Sequence, residues 1–175
     1  MRRDVLRRLQ QLRLMVFDVD GVLTDGTLYL SDNGAEIKAF NAHDGHGLKM
    51  LRESGLEVAL LSARHSRAVE LRAAELGIGL LEQSASDKEA AFEQLLARVK
   101  VSPPAAGYMG DDLADLPVLV RCGFAASVPE APDAVRRRVH HVTRAPAGRG
   151  AAREVCELIM QAQDTLERAI SRQLA

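Results

Sequence analysis

Residues 12 to 26 read LRLMVFDVDGVLTDG. From Leu12 to Val19 the run is mostly apolar without strict alternation, the pattern of a strand buried on both faces of a parallel sheet. At its carboxyl end stand Asp18 and Asp20, and burying two acids there is costly unless something pairs with them. The simplest partner is a hard cation such as Mg²⁺, held by oxygen ligands from few carboxylates and leaving places for water and a phosphate. Gly21 lets the backbone approach such a ligand closely.

Working outward, similar short apolar runs recur as LEVALL at 56–61, around Leu80 and Leu81, as AAGYM at 105–109 and as GFAASV at 123–128. Helical patterns lie between them: Asp44 to Ser54, Ser66 to Leu76, and a third with Phe92, Leu95, Leu96 and Val99 on one face. Such alternation predicts an α/β fold, a doubly wound parallel sheet, with ligands held outside the carboxyl ends of its strands. The first thirteen residues space Val5, Leu6, Leu9 and Leu12 as a short amphipathic helix. After the link APAGRG at 145–150, which reads as a mobile connector, one helix is expected from Gly150 to Ile170.

One segment breaks the alternation. Thr27 to Leu30 and Ala35 to Phe40 are strand-like and flank Asn33-Gly34, a strong hairpin signal. A lone hairpin is marginally stable at best. Residues 20 to 55 leave no room for a sizeable lid as well, so the chain reads as one domain over 1–175, with hairpin 27–40 and a C-terminal tail and helix at 145–175. The hairpin's simplest partner is another subunit's hairpin, which predicts a homo-oligomer. The alternative is a hairpin folded back on its own sheet.

The chain has 175 residues, 47% hydrophobic and 27% charged, the range of one ordinary globular domain. Twenty-three Lys and Arg against 24 Asp and Glu give a net charge of −1, so no global field draws it to nucleic acid or to an anionic membrane. Aromatics are only 3%, too few for base-stacking platforms. No apolar stretch is long enough to span a bilayer and MRRDVLRRLQQLR lacks a signal-peptide core, so a cytoplasmic location is expected. Cys122 and Cys156 have no metal-ligand spacing and read as buried reduced thiols.

A second acidic cluster, GDDLADLP at 110–117, follows the AAGYM strand as Asp18 follows the first. In a parallel sheet both clusters emerge at one edge and together suit a Mg²⁺ site. Ser62 ends LEVALL ahead of a helix, where its hydroxyl and the first-turn amides can take an anion or simply cap the helix. Lys88 follows Ser86 and precedes Glu89 at capping-box spacing, placing it in a helix's first turn, within reach of a phosphate at the sheet edge or as a plain surface charge.

The order DVDGVLTDG, Ser62, Lys88 and GDDLADLP resembles the four-motif order of haloacid dehalogenase superfamily phosphatases over essentially the whole chain. The absent cap domain, the hairpin, FNAHDGHGLKML at 40–51 and GRGAAREVCELI at 148–159 are similar, more narrowly, to the tetrameric phosphatases of 3-deoxy-D-manno-octulosonate 8-phosphate (KDO 8-phosphate), which serve lipopolysaccharide precursor synthesis. The resemblance implies that Asp18 is the nucleophile, forming an aspartyl phosphate, and that Asp20 is general acid and then general base, a role that requires a raised pKa. Ser62 and Lys88 complete the catalytic set. The implied metal ligands are the Asp18 carboxylate, the Asp20 backbone oxygen and the Asp111 carboxylate, with Asp112 or Asp115 as support. The implied substrate contacts are Asp20, Asn41, His43, Asp44, Gly45, Lys49, Arg64, Arg72 and Lys88. Arg64 suits a sugar carboxylate. Arg72 lies roughly 12 Å further along one helix and reads as a bridge or surface charge unless a neighbouring subunit's site reaches it. Arg149 matches a tail that closes over an active site, its own or a neighbour's.

The chain departs from that pattern at His43, where an arginine is common, and at Ala63, where glycine is frequent, which bears on the sugar more than on phosphatase chemistry. His43 and His46 lack a partner at zinc spacing and read as polar loop residues. Three alternatives stay open: a phosphatase of a sialic acid or related ulosonate 9-phosphate, a phospho-accepting receiver domain, and a silent oligomeric scaffold. A receiver places its acidic pair a strand before the phosphorylated aspartate, whereas here DxD comes first.

Overall fold

A computed structural model describes residues 3–32, 34, 36–172 and 174. Helix α1 (Arg3–Gln10) buries Val5 and Leu9, and strand β1 (Leu14–Phe17) follows with all four residues buried. Strands β2 (Tyr29–Leu30) and β3 (Glu36–Ile37) pair antiparallel as a sheet of their own. Asn33 of the expected turn, and Ala35 beside it, lie outside the described residues, but the Gly34 amide donates to the Ser31 carbonyl at 2.9 Å and closes the hairpin.

Helix α2 (Ala42–Glu53) leads to β4 (Glu57–Leu61), α3 (Arg67–Glu75) to β5 (Leu80–Glu82), and α4 (Lys88–Val99) to β6 (Ala106–Met109). After the one-turn helix α5 (Leu116–Leu119) come β7 (Phe124–Ser127), α6 (Asp133–Arg136), β8 (His141–Val142), α7 (Ala151–Ala162) and α8 (Leu166–Ser171). The main sheet has six parallel strands in the order β5-β4-β1-β6-β7-β8, with helices around it, as the alternating pattern predicts. Strand order reverses at β1, which pairs with β4 on one side and β6 on the other. A crevice opens outside the carboxyl ends at such a switch point.

The core is mostly aliphatic, with Leu14, Met15, Val16, Leu60, Leu61 and Leu95 fully buried along with Phe17, Phe92, Tyr108 and Phe124. Cys122 and Cys156 are buried free thiols, and burial pushes Cys122 up to about 12.

The expected single C-terminal helix is two. Asp164 takes a left-handed φ of 56°, a conformation Asp tolerates better than bulkier side chains. The Gln163 side-chain Nε2 beside it donates to the Leu9 and Leu12 carbonyls, fixing the break against the start of the chain. The 145–150 link is also pinned rather than mobile. The Gly148 amide bonds the Val22 carbonyl, and Glu154 accepts from the Arg144 and Ala145 amides. Gly148, at φ 61°, brings this link so near the Thr24–Asp25 backbone that a Cβ would meet it at 2.6 Å.

Candidate active site

The carboxyl ends of β1, β4 and β6 line a cavity of about 320 Å³ with Asp18, Asp20, Gly21, Ser62, Arg64, Lys88, Asp111 and Asp112 around it. Asp18 extends β1 by donating its amide to the Met109 carbonyl, so its side chain leaves the sheet at the switch point. One carboxylate oxygen accepts the Val19 amide at 2.7 Å and the other accepts Lys88 Nζ at 2.6 Å. The same Nζ donates to Asp115 Oδ1 at 2.6 Å.

Lys88 opens α4, whose cap is Asp87, accepting from the Ala90 amide, rather than Ser86. Ser62 also differs from its expectation. It caps no helix, because α3 starts at Arg67 after Ser66, and its hydroxyl accepts the Arg64 amide at 3.1 Å in a tight turn above β4.

Carboxylate oxygens of Asp18, Asp111 and Asp115 lie within 4.8 Å of one another. Asp115 is saturated: Oδ1 accepts Lys88 and the Tyr108 hydroxyl, while Oδ2 accepts the amides of Asp111 and Asp112. It supports the cluster and leaves Asp18 and Asp111 free to face an ion. Asp112 borders the cavity but is outside this cluster, its side chain accepting the Leu113 amide at the start of a short turn. Burial, with Asp115 beside it, pushes Asp18 up to about 7 against the pull of Lys88, and the same two causes push Asp111 to about 7. Three carboxylates around one ammonium are short of positive charge, which a divalent cation supplies. Gly21 is required here, since its φ is 82° and a Cβ would lie 2.1 Å from Asp111 Oδ2.

The remaining sequence-predicted residues gather elsewhere in the fold. Asn41 caps α2, accepting the amides of His43 and Asp44. Asp44 is buried and accepts the Gly150 and Arg153 amides, capping α7. Arg72 bonds the Asn41 carbonyl and Glu75 and lies 5.9 Å over the Phe40 ring. A Cβ on Gly45 would strike Arg72 Nη2 at 1.9 Å, so the glycine admits that guanidinium. His43 and Lys49 are exposed on α2. Arg149 lines a neighbouring cavity with Asp25 and Glu130, bordering the first at Gly21 and Asp111. None of these seven reaches the Asp18 cavity, whereas Asp20, Arg64 and Lys88 do.

Two residues of the site escape the sequence reading. Tyr108 donates its hydroxyl to Asp115 at 2.7 Å; a tyrosine on a fully buried strand needs such an acceptor, a signal the sequence carries that the sequence reading did not use. Lys38 pairs with Asp20, and the period of two along the hairpin strand puts Glu36 and Lys38 on one side, with Ile37 on the other.

No protein-family model matches the chain. The chain is 45% identical, over 95% of its length and 89% of the relative's, to the 3-deoxy-D-manno-octulosonate 8-phosphate phosphatase of Yersinia pestis. It belongs to the family of KDO 8-phosphate phosphatases. In fold it matches the Moraxella catarrhalis KDO 8-phosphate phosphatase, solved in complex with magnesium, phosphate and KDO, at a TM-score of 0.95 and 36% identity over 98% of this chain and 99% of that one. The cobalt-bound Haemophilus influenzae enzyme matches at a TM-score of 0.88 and 40% identity over 91% of this chain and 93% of that one. This KDO 8-phosphate phosphatase family member is thus a hydrolase of phosphate monoesters whose α/β fold is of haloacid dehalogenase type. No helix among the described residues is long and apolar enough to cross a membrane.

Proposed function

We propose that the chain hydrolyses KDO 8-phosphate to the free sugar acid and inorganic phosphate through a phosphoryl group carried on Asp18, in lipopolysaccharide precursor synthesis. The observation that carries this reading is the buried Asp18 carboxylate held 2.6 Å from Lys88 beside Asp111, in a cavity that Asp20 and Arg64 border. The complex of the Moraxella relative with magnesium, phosphate and KDO supports it.

The donor set is all oxygen and suits Mg²⁺, with the Asp18 and Asp111 carboxylates and the Asp20 backbone oxygen as the ligands. When bound, the ion neutralises phosphate oxygens and the crowded carboxylates alike. An Asp18 oxygen attacks phosphorus, the P–O bond to the sugar breaks, and Asp20 gives its proton to the departing oxygen. Water then attacks phosphorus, its proton returns to Asp20, and Asp18 leaves as a carboxylate. Lys88 offsets the charge on the phosphate oxygens as it shifts between nucleophile and leaving group. Arg64, half-exposed at the rim, offers a planar pair of donors to the sugar carboxylate. The working unit is one catalytic domain, in the cytoplasm, assembled as a homo-oligomer through its hairpin.

Phosphate release tests the reading directly, with KDO 8-phosphate, sialic acid 9-phosphate, glucose 6-phosphate and p-nitrophenyl phosphate compared in Mg²⁺ buffer. Strong preference for the first is expected. Preference for the second keeps the chemistry and transfers specificity to His43 and Ala63, while no release from any refutes the proposal.

A further inference from the structure

The Asp20 carboxyl has one hydrogen-bond partner among the described residues, Lys38 on its Oδ1, while Oδ2 is buried and has none. That lysine comes from the hairpin, 18 residues along the chain, and its side chain is only 2% exposed. A lysine loses much rotamer freedom and much hydration in such a place, so its partners must offset both. Its second partner is Glu36 at 2.8 Å, and Glu36 in turn lies 3.5 Å from Arg64 Nη2. Burial pulls the Lys38 ammonium down, yet the two carboxylates more than reverse this and keep it charged. A continuous chain of ion pairs, Arg64–Glu36–Lys38–Asp20, therefore runs from the cavity rim to the side chain that serves as acid.

We propose that Lys38 is a positioning residue: it fixes the orientation of the Asp20 carboxyl for proton transfer to the departing oxygen, so that the hairpin contributes to catalysis as well as to assembly. This rests on the reading of Asp20 as the acid. Without Lys38, no other described side chain holds Asp20. The carboxyl would then sample rotamers that miss the leaving oxygen, and small misplacements of a catalytic group are expensive in rate.

The leaving group separates positioning from mere folding. A sugar alkoxide needs a proton as it departs, whereas p-nitrophenolate does not. Wild type, Asp20→Asn, Lys38→Met and Lys38→Arg are compared on KDO 8-phosphate and on p-nitrophenyl phosphate, with circular dichroism as a check of fold. General acids contribute on the order of 100-fold or more, so Lys38→Met is expected to lose roughly tenfold more kcat on the sugar phosphate than on the aryl ester. KM should change little, and Lys38→Arg should recover part of the loss. Equal losses on the two substrates, with Asp20→Asn still showing the difference, overturn the role of Lys38 alone. Equal losses for Asp20→Asn as well overturn the acid assignment and the proposal with it. Should Lys38→Met not fold, Lys38→Gln, which keeps a donor of shorter reach, is held to the same comparison.

Discussion

Lys88 Nζ stands 2.6 Å from Asp18 Oδ2 although 70 residues separate the two in the chain. The parallel pairing of β1 with β6, together with α4 leading into β6, brings them to one sheet edge, and a single ammonium serves both Asp18 and the supporting Asp115. Removing two charges from water is repaid only where the remaining lone pairs are satisfied, and Asp115 shows this with four accepted hydrogen bonds.

This crowding makes stability depend on metal and pH together. Asp18 and Asp111 rise from an ordinary 3.8 to about 7 in the folded chain, so between those values the folded state binds more protons than the unfolded one. Their contribution to the stability of the metal-free protein therefore falls as pH rises through that window. A Mg²⁺ ion held by these two carboxylates would displace those protons. Melting curves with and without Mg²⁺ should show a gain in Tm that grows from pH 5 to pH 7.5; a gain independent of pH would argue against Asp18 and Asp111 as ligands.

Gly21→Ala should disable the site from the backbone outward. Its φ of 82° is strained for alanine, and the new methyl would occupy the place of Asp111 Oδ2. A loss of about 1–3 kcal/mol is expected from the backbone alone. Weakened Mg²⁺ binding by calorimetry should accompany it, and unchanged binding would show that Asp111 is not held where the ion sits.

Asp44 joins α2 to the amino end of α7 by accepting the Gly150 and Arg153 amides at 3.0 and 2.8 Å. Asp44→Ala should cost about 1–3 kcal/mol in chemical denaturation, since two part-buried donors at the start of α7 lose their buried acceptor. At temperatures where the variant stays folded, a KM for KDO 8-phosphate near that of wild type is expected; a large rise would make Asp44 a substrate contact as well.

The hairpin exposes Leu30 at 68% and Ile37 at 64% in the single chain, an apolar surface that water does not favour. Ile37→Asp should reduce the particle mass measured by light scattering. An unchanged mass would count against the hairpin as a contact between copies of the chain.

The sheet was legible because β1, β4, β6 and β7 are short apolar runs between helical patterns, and the acids after β1 and β6 mark the carboxyl edge. What sequence could not give lies in long-range pairing. Asp112 and Asp115 look alike in GDDLADLP, and only the fold shows that Asp115 faces Lys88 and Tyr108. The two-residue strand β8 and the one-turn helices α5 and α6 are too short for periodicity to register. The break at Asp164 depends on Gln163 reaching α1, which no local pattern announces. Lys38 sat on a hairpin whose packing was open, so its pairing with Asp20 had no local signal beyond the alternation with Ile37.

The most direct measurement is the turnover of KDO 8-phosphate by Asp18→Asn beside wild type, with Mg²⁺ saturating and fold checked by circular dichroism. The asparagine keeps the shape and cannot carry the phosphoryl group, so kcat should fall by roughly a thousandfold or more, about 4 kcal/mol or more in the barrier. A folded Asp18→Asn variant retaining activity within about tenfold of wild type would contradict Asp18 as the nucleophile.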